Sequence, residues 1–209
     1  MDIIVLDLDQ TVISSEILKK SAADEGDKIY VIEENREKSK LFNYQNMEGL
    51  YVIFERPHLQ EFLTFLFANF RVGVWTAASQ DYANFIVRNI LIGDYTDRKL
   101  DFFMCSYHGQ KSSDMYKGPK DLDMITQLYN LPGSHKGNIV IVDDYSEVYK
   151  VQPKNCILAK EFCYFGLGSD KDDFLLKVIE NLKVYLENKK KDGGGGDNLN
   201  TVVEKINNK

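Results

Sequence analysis

The run Ile3-Ile4-Val5-Leu6 is apolar throughout and ends at Asp7. No polar residue alternates within it, so a strand built from it must be buried on both faces. Strands of that kind belong to parallel sheets, whose crossover connections lay helices over both faces. The rest of the chain supplies the parts. "RVGVW" and "NIVIV" are further strand-like runs, with "LDFFMCSYH" and "CILAKEF" as weaker ones. In "RPHLQEFLTFLFANF", Leu59, Phe62, Leu63, Leu66 and Phe67 recur at three- and four-residue steps, which makes one apolar helical face. "QDYANFIVRNIL", "DLDMITQLYNL" (stopped by Pro132-Gly133) and "DDFLLKVIENLKVYLEN" also read as helices. Strands alternating with helices predict an α/β fold with a mostly parallel sheet.

A chain of 209 residues that is 44% hydrophobic suffices for one substantial core. The expected division is one domain over 1–188. Within it, 13–55 is an irregular excursion with a β-hairpin. It holds the charged stretch "EENREKSK" between "KIYVIEE" and "GLYVIFE". A small insertion is expected at about 94–119, where "GQKSSDMYKGPK" reads as a polar loop. Four consecutive glycines among charged residues predict a flexible tail over 189–209.

The formal net charge of −6 disfavours a general nucleic-acid binder, which needs cations to displace counterions. Cys105, Cys156 and Cys163 form no CxxC pair and are odd in number, so reduced thiols are expected. No basic leader precedes the first apolar run, and no stretch approaches the roughly 18–20 apolar residues that cross a bilayer. The expected location is intracellular, nuclear or cytoplasmic, with no membrane partner.

Ligands of open α/β sheets bind beyond the carboxyl ends of the strands. Here three strands end in chemical groups: Asp7 and Asp9 with Thr11; Thr76; and Asp143 with Asp144. Lys120 and Lys117 precede the helix that starts near Asp121. Taken singly, each has a plain explanation: acidic pairs cap turns, Thr76 caps a helix, a lysine is a surface charge. Together they crowd carboxylates that repel one another unless a cation sits among them, and an all-oxygen set suits Mg²⁺. A lysine and a hydroxyl beside such a cation suit a phosphoryl group.

The ordered set D-x-D-x-T, hydroxyl, lysine and acidic pair resembles the motifs of the haloacid dehalogenase superfamily. "LDLDQTV", "ERPHLQEFL", "WTAASQDYA", "KDLDMI" and "IVIVDDYSEVYKVQPKN" more closely resemble the FCP/SCP phosphatases of the RNA polymerase II carboxy-terminal domain. The likeness runs from about Met1 to Phe165 and departs at Gln10, where glutamate or glycine is usual. It implies a Rossmann-like sheet with small β insertions and no large cap. It further implies a phosphatase acting on phosphoserine or phosphothreonine in proteins, with the polymerase repeat itself a candidate substrate, through an aspartyl-phosphate. Asp7 matches the nucleophile and Asp9 the general acid/base, with Thr11 orienting Asp9. Thr76 and Lys120 match the phosphate-binding groups. The Asp7 carboxylate, the Asp9 backbone carbonyl and Asp143, assisted by Asp144, match the Mg²⁺ ligands. Tyr107 and Phe103 are candidates for a substrate pocket, with core packing the competing explanation.

Other readings share parts of this pattern. A small-molecule or nucleic-acid-end phosphatase of the same superfamily would have the same site. A phospho-receiver places its acidic pair after the first strand and its lysine after the last, the opposite order. A catalytically weak phosphopeptide-binding scaffold is disfavoured by the presence of both Asp7 and Asp9. His58, His108 and His135 share no metal-ligand spacing and read as surface or helix-start residues. Arg56 reads as a partner for an acidic loop, with a substrate role as the alternative. The chain is expected as a monomer or homodimer, and a first strand followed by a long irregular segment permits exchange of N-terminal elements.

Overall fold

A computed structural model describes residues 1–18, 35–129, 135–191 and 198–208. Five parallel strands form the main sheet: β1 (Ile3–Leu6), β5 (Arg71–Trp75), β6 (Phe102–Met104), β7 (Ile139–Asp143) and β8 (Cys156–Leu158), in the order β6-β5-β1-β7-β8. The order reverses at β1, so β5 and β7 flank it. A second, antiparallel sheet of β2 (Ile13–Ile17), β3 (Tyr44–Met47) and β4 (Tyr51–Glu55) has β4 in its middle. Within 35–55, β3 and β4 pair as antiparallel neighbours, with β2 on the other side of β4. "KIYVIEE" and Pro132-Gly133 lie outside the described residues.

The helices are α1 (Arg36–Ser39), α2 (Leu59–Asn69), α3 (Gln80–Ile86), α4 (Ser106–Met115), α5 (Asp123–Leu128), α6 (Ser146–Val151), α7 (Phe174–Lys191) and α8 (Leu199–Asn207). Period-two alternation sorts the main sheet into two cores. Ile4, Leu6, Val72, Val74, Val140 and Val142 join the apolar faces of α2, α3, α7 and α8. Ile3, Val5, Trp75, Ile139 and Ile141 join Met124 and Ile125 of α5 and Val148 of α6. Covering on both faces is what the unbroken apolar run of β1 demands.

Three expectations need correction. The loop expected at "GQKSSDMYKGPK" is largely helix α4. It escaped notice because it has almost no apolar face: Ser112 is its one buried residue. Its start is held by the Cys105 N–H, which donates to His108 Nδ1 at 3.1 Å. The helix read from "QDYANFIVRNIL" is α-helical only to Ile86 and continues as a π-helical turn, Val87–Ile92. The flexible tail does not hold for its described residues. Residues 189–191 finish α7, and α8 buries Leu199, Val202 and Val203 against the body. The Asn207 side chain accepts from the Leu158 N–H at 3.0 Å and donates to the Cys156 carbonyl at 2.8 Å. That amide occupies the open edge of β8 as a neighbouring strand would. The glycine run hid this because amphipathic α8 is only nine residues long.

Candidate active site

Register decides which groups meet. Leu6 lies level with Val74 on one side and Val142 on the other. One residue further, Asp7 emerges beside Trp75 and Asp143, and its N–H donates to the Val142 carbonyl at 3.0 Å. Alternation turns Asp7 and Asp143 to the face of Val5 and Ile141, where the loop before α5 arrives with Lys120. Lys120 Nζ donates to Asp7 Oδ1 at 2.5 Å and to Asp143 Oδ2 at 2.7 Å. All three residues are buried.

The lysine is aimed by its backbone. Lys120 has φ 51°, a left-handed conformation. Neighbouring groups hold it there: its carbonyl accepts from Gln152 Nε2 at 2.8 Å, and the Asp121 N–H donates to Ser112 Oγ at 2.8 Å. Lys117, the alternative candidate, is exposed and lies 4.0 Å from Asp123. Burial alone would lower the Lys120 pKa, but the flanking Asp7 and Asp143 outweigh it and hold the ammonium above its usual range. Asp143 is pushed up, first by burial and then by the Asp7 charge, with Lys120 opposing.

After β1 the chain turns sharply. Gln10 takes φ 61°, which explains why glycine suits that position. The turn carries Thr11 back over the strand end. Thr11 Oγ1 accepts from the Asp144 N–H at 3.0 Å and lies 3.1 Å from Asp7 Oδ2 and 2.8 Å from Asp144 Oδ1. Its hydroxyl therefore links Asp7 to Asp144 rather than contacting Asp9. Burial raises the Asp144 pKa, with the Thr11 hydrogen bond opposing.

Asp9 points elsewhere. Its Oδ1 accepts from Tyr82 OH at 2.6 Å and from Ser15 Oγ at 3.2 Å. Burial raises its pKa, the Tyr82 hydrogen bond lowers it, and repulsion from Asp7 raises it again. Neither Tyr82 nor Ser15 was singled out from the sequence. The signal was a tyrosine in the first turn of the helix after β5, within "WTAASQDYA".

Thr76 follows β5 and is buried. Its Oγ1 accepts from the Ala78 N–H at 3.1 Å, while Ser79 takes the N-cap position of α3. The Ala78 carbonyl accepts from the Ser106 N–H at 3.0 Å, which sets the start of α4 beside this loop. Tyr107, in the first turn of α4, is 61% exposed. Phe103 packs against the larger core instead. Arg56 is 1% exposed; its guanidinium donates to both carboxylate oxygens of Asp172 at 2.9 and 2.8 Å and to the Thr11 carbonyl at 2.7 Å. It braces the turn at Thr11 against the loop before α7. His58, His108 and His135 each stand at the start of a helical segment.

One oxygen each from Asp7, Asp143 and Asp144 lies within 4.8 Å of the others, the spacing of a shared cation. With Lys120, these carboxylates leave a formal charge of −2, which a hard divalent cation would offset. The Asp9 carboxylate is not in this group. The donor set fits Mg²⁺: it is oxygen only, with Asp7 and Asp143 buried and Asp144 half-buried.

A profile of the family described as NLI interacting factor-like phosphatase matches residues 2–193. A CTD phosphatase-like protein, 355R, of Invertebrate iridescent virus 3 is 39% identical over 188 residues, covering 88% of this chain and 96% of that protein. Its counterpart in Invertebrate iridescent virus 6 is 34% identical over 186 residues, covering 88% and 98%. Among solved structures, Fcp1, an essential RNA polymerase II CTD phosphatase, is similar with a TM-score of 0.52 at 16% identity, over 86% of this chain. That likeness concerns the fold, and the chain spans 49% of the solved Fcp1 chain.

Proposed function

Since the chain belongs to the NLI interacting factor-like phosphatase family, we propose that it is a Mg²⁺-dependent, aspartate-based protein phosphatase acting on phosphoserine and phosphothreonine. One observation carries this: two aspartates two residues apart have opposite surroundings. Asp7 is buried against an ammonium, whereas Asp9 is turned away to a phenol and has a raised pKa. Two carboxyls separated in this way suit a nucleophile and a general acid.

Asp7 attacks phosphorus, and the bond from phosphorus to the serine oxygen breaks. Asp9 delivers its proton to that oxygen, so a neutral alcohol leaves instead of an alkoxide. An aspartyl-phosphate remains on Asp7. Asp9, now a carboxylate, takes a proton from water as the water oxygen attacks phosphorus. Inorganic phosphate leaves and both aspartates return to their starting states. Lys120 and Thr76 hold the phosphate oxygens, and Thr11 fixes the Asp7 carboxylate. The Asp7 and Asp143 carboxylates and the Asp9 carbonyl would hold Mg²⁺, with Asp144 assisting; the ion would neutralise phosphate charge as it develops. Between Thr76 and Lys120 the described chain holds only α3, its π-helical turn, β6 and α4. With no large cap over the strand ends, the site suits an extended protein segment, which exposed Tyr107 could contact.

The test is phosphate release from phosphoserine repeat peptides, phosphotyrosine peptides and small esters, in Mg²⁺ or EDTA. Peptide turnover that needs Mg²⁺ and is lost in Asp7→Asn is the expected result. Higher kcat/KM on small esters would replace the protein substrate with a metabolite. Turnover retained by Asp7→Asn would remove the aspartate mechanism.

A further inference from the structure

Asp9 is held by a device that the two-aspartate chemistry does not itself require. Tyr82 comes from α3 and Ser15 from β2, and both reach the same oxygen, Oδ1. Oδ2 is left clear of both. A carboxyl fixed through one oxygen has its plane set, and its second oxygen is the one available to carry a transferable proton. The phenol is itself constrained. Tyr82 is 8% exposed, and its ring meets that of Tyr51, on β4, edge-to-face at 5.1 Å and 68°. The small antiparallel sheet thus supplies Ser15 directly and Tyr51 as a wall behind Tyr82. Helix α3 begins immediately after the Thr76 loop, so the element that presents the phosphate-binding hydroxyl also aims the acid.

We propose that Tyr82, seconded by Ser15, is a positioning residue for Asp9, fixing Oδ1 so that Oδ2 faces the leaving oxygen of the substrate. This rests on the assignment of Asp9 as general acid made above. A correctly held acid matters in proportion to how badly the leaving group needs a proton. Loss of Tyr82 OH should therefore penalise esters of poorly acidic alcohols and spare esters of acidic phenols. A purely structural tyrosine, or one that binds substrate, would penalise both alike.

The experiment compares kcat/KM for phenyl phosphate and 2,4-dinitrophenyl phosphate in the parent, Tyr82→Phe, Asp9→Ala and the double variant. The ratio kcat/KM reports the steps through leaving-group departure and is blind to the later hydrolysis of the aspartyl-phosphate. Tyr82→Phe should lower kcat/KM for phenyl phosphate by about 10- to 100-fold, below the ~10²–10⁴ range of a complete general acid, and by less than about 3-fold for the dinitrophenyl ester. In the Asp9→Ala background the same change should have almost no effect, because it acts through Asp9. Equal losses on both esters, additive losses in the double variant, or no loss on phenyl phosphate would each overturn the proposal. If the parent turns over neither ester, the phosphatase assignment fails first. The contact is then read from thermal unfolding of the same four proteins. Melting-temperature losses that do not add support the Tyr82–Asp9 link, and fully additive losses overturn it.

Discussion

Lys120→Met isolates what the buried ammonium does. The change keeps the stem roughly intact and removes the charge. Asp7 and Asp143, at 2.5 and 2.7 Å from Nζ, then lose their shared counter-ion where Lys120 is only 6% exposed. Deleting one partner of a buried ion pair costs about 3–5 kcal/mol. Protonation sets a ceiling, because a carboxyl of ordinary pKa can be neutralised at pH 7 for about 4 kcal/mol. The expected loss for the metal-free protein at neutral pH is therefore about 3–4 kcal/mol, or roughly 6–16 °C in Tm for a chain of this size.

The pH dependence identifies the cause. Asp143 already has a raised pKa, from burial first and then from Asp7. A carboxyl whose folded pKa lies above its unfolded value binds its proton more tightly when folded. It costs nothing below both values and costs stability as pH rises from the unfolded value toward the folded one. Removing Lys120 pushes that folded value higher still. The deficit should be small or reversed near about pH 4 and grow toward pH 7. Urea unfolding in EDTA across that range measures it. Adding Mg²⁺ at ~100 times its Kd should restore about 2.7 kcal/mol. A neutral-pH loss under about 1 kcal/mol, or one that does not vary with pH, would refute the account of Lys120 as the counter-ion of a crowded carboxylate site.

Gly73→Ala would place a Cβ 2.2 Å from the nearest ring carbon of Phe102. It should cost about 1–3 kcal/mol in urea unfolding, and Phe102→Leu should recover part of that in a non-additive pair. Arg56→Lys gives up the two-point contact with Asp172 and the bond to the Thr11 carbonyl. A loss of about 3 kcal/mol is expected from chemical denaturation, despite conservation of charge. Deleting residues 192–209 uncovers the ground beneath Leu199, Val202 and Val203 and frees the edge of β8. Stability should fall by about 2–4 kcal/mol once the entropy of ordering α8 is set against its burial. Sedimentation should also detect association through the exposed edge.

The parts legible in the sequence were those that repeat a period or end a strand. β1, β5 and β7 announce themselves as apolar runs, and the groups following them are the ones the register brings level. α2 and α7 carry apolar stripes. What stayed hidden has a physical reason in each case. α4 is polar along almost its whole length and is held by Cys105, His108 and the buried hydroxyl of Ser112, so no hydrophobic period marks it. α8 lies beyond four glycines, and its three buried side chains are too few to outweigh that linker on composition alone. Thr11 was expected beside Asp9 and is instead tied to Asp7 and Asp144. The turn at Gln10 rotates it by more than an extended D-x-D-x-T would suggest, and a positive φ on a non-glycine residue has no sequence signature.

The end of β1 at Leu6 explains why two aspartates so close in sequence end in different surroundings. If the chain stayed extended, Asp7 and Asp9 would share one face of a strand and repel at close range. β1 ends at Leu6 instead, before both aspartates; in the turn that follows, the Leu8 carbonyl accepts from the N–H groups of Thr11, Val12 and Ile13, and left-handed Gln10 donates its N–H to the Ile13 carbonyl at 2.7 Å. The Phe162 N–H also donates to the Gln10 carbonyl at 2.6 Å, so the turn is pinned by the segment that follows β8. Asp9 is thereby moved off the sheet axis and into reach of α3 and β2, where it meets hydroxyls rather than an ammonium. Asp7, one residue past the strand end, meets Lys120. The reversal of strand order at β1 supplies the crevice, and the turn from Asp7 to Ile13 sends the two carboxyls to different partners. Gln10→Gly should therefore relax the strain, stabilising the protein by up to about 1 kcal/mol while leaving the Asp7–Asp9 geometry in place. Gln10→Val should lose stability by more than that, because a β-branched side chain resists φ 61°. Its kcat should also fall, because the turn at Gln10 places Thr11, which holds Asp7 and Asp144. If both variants matched the parent in unfolding free energy and kcat, the left-handed turn at Gln10 would carry neither strain nor the placement of Thr11.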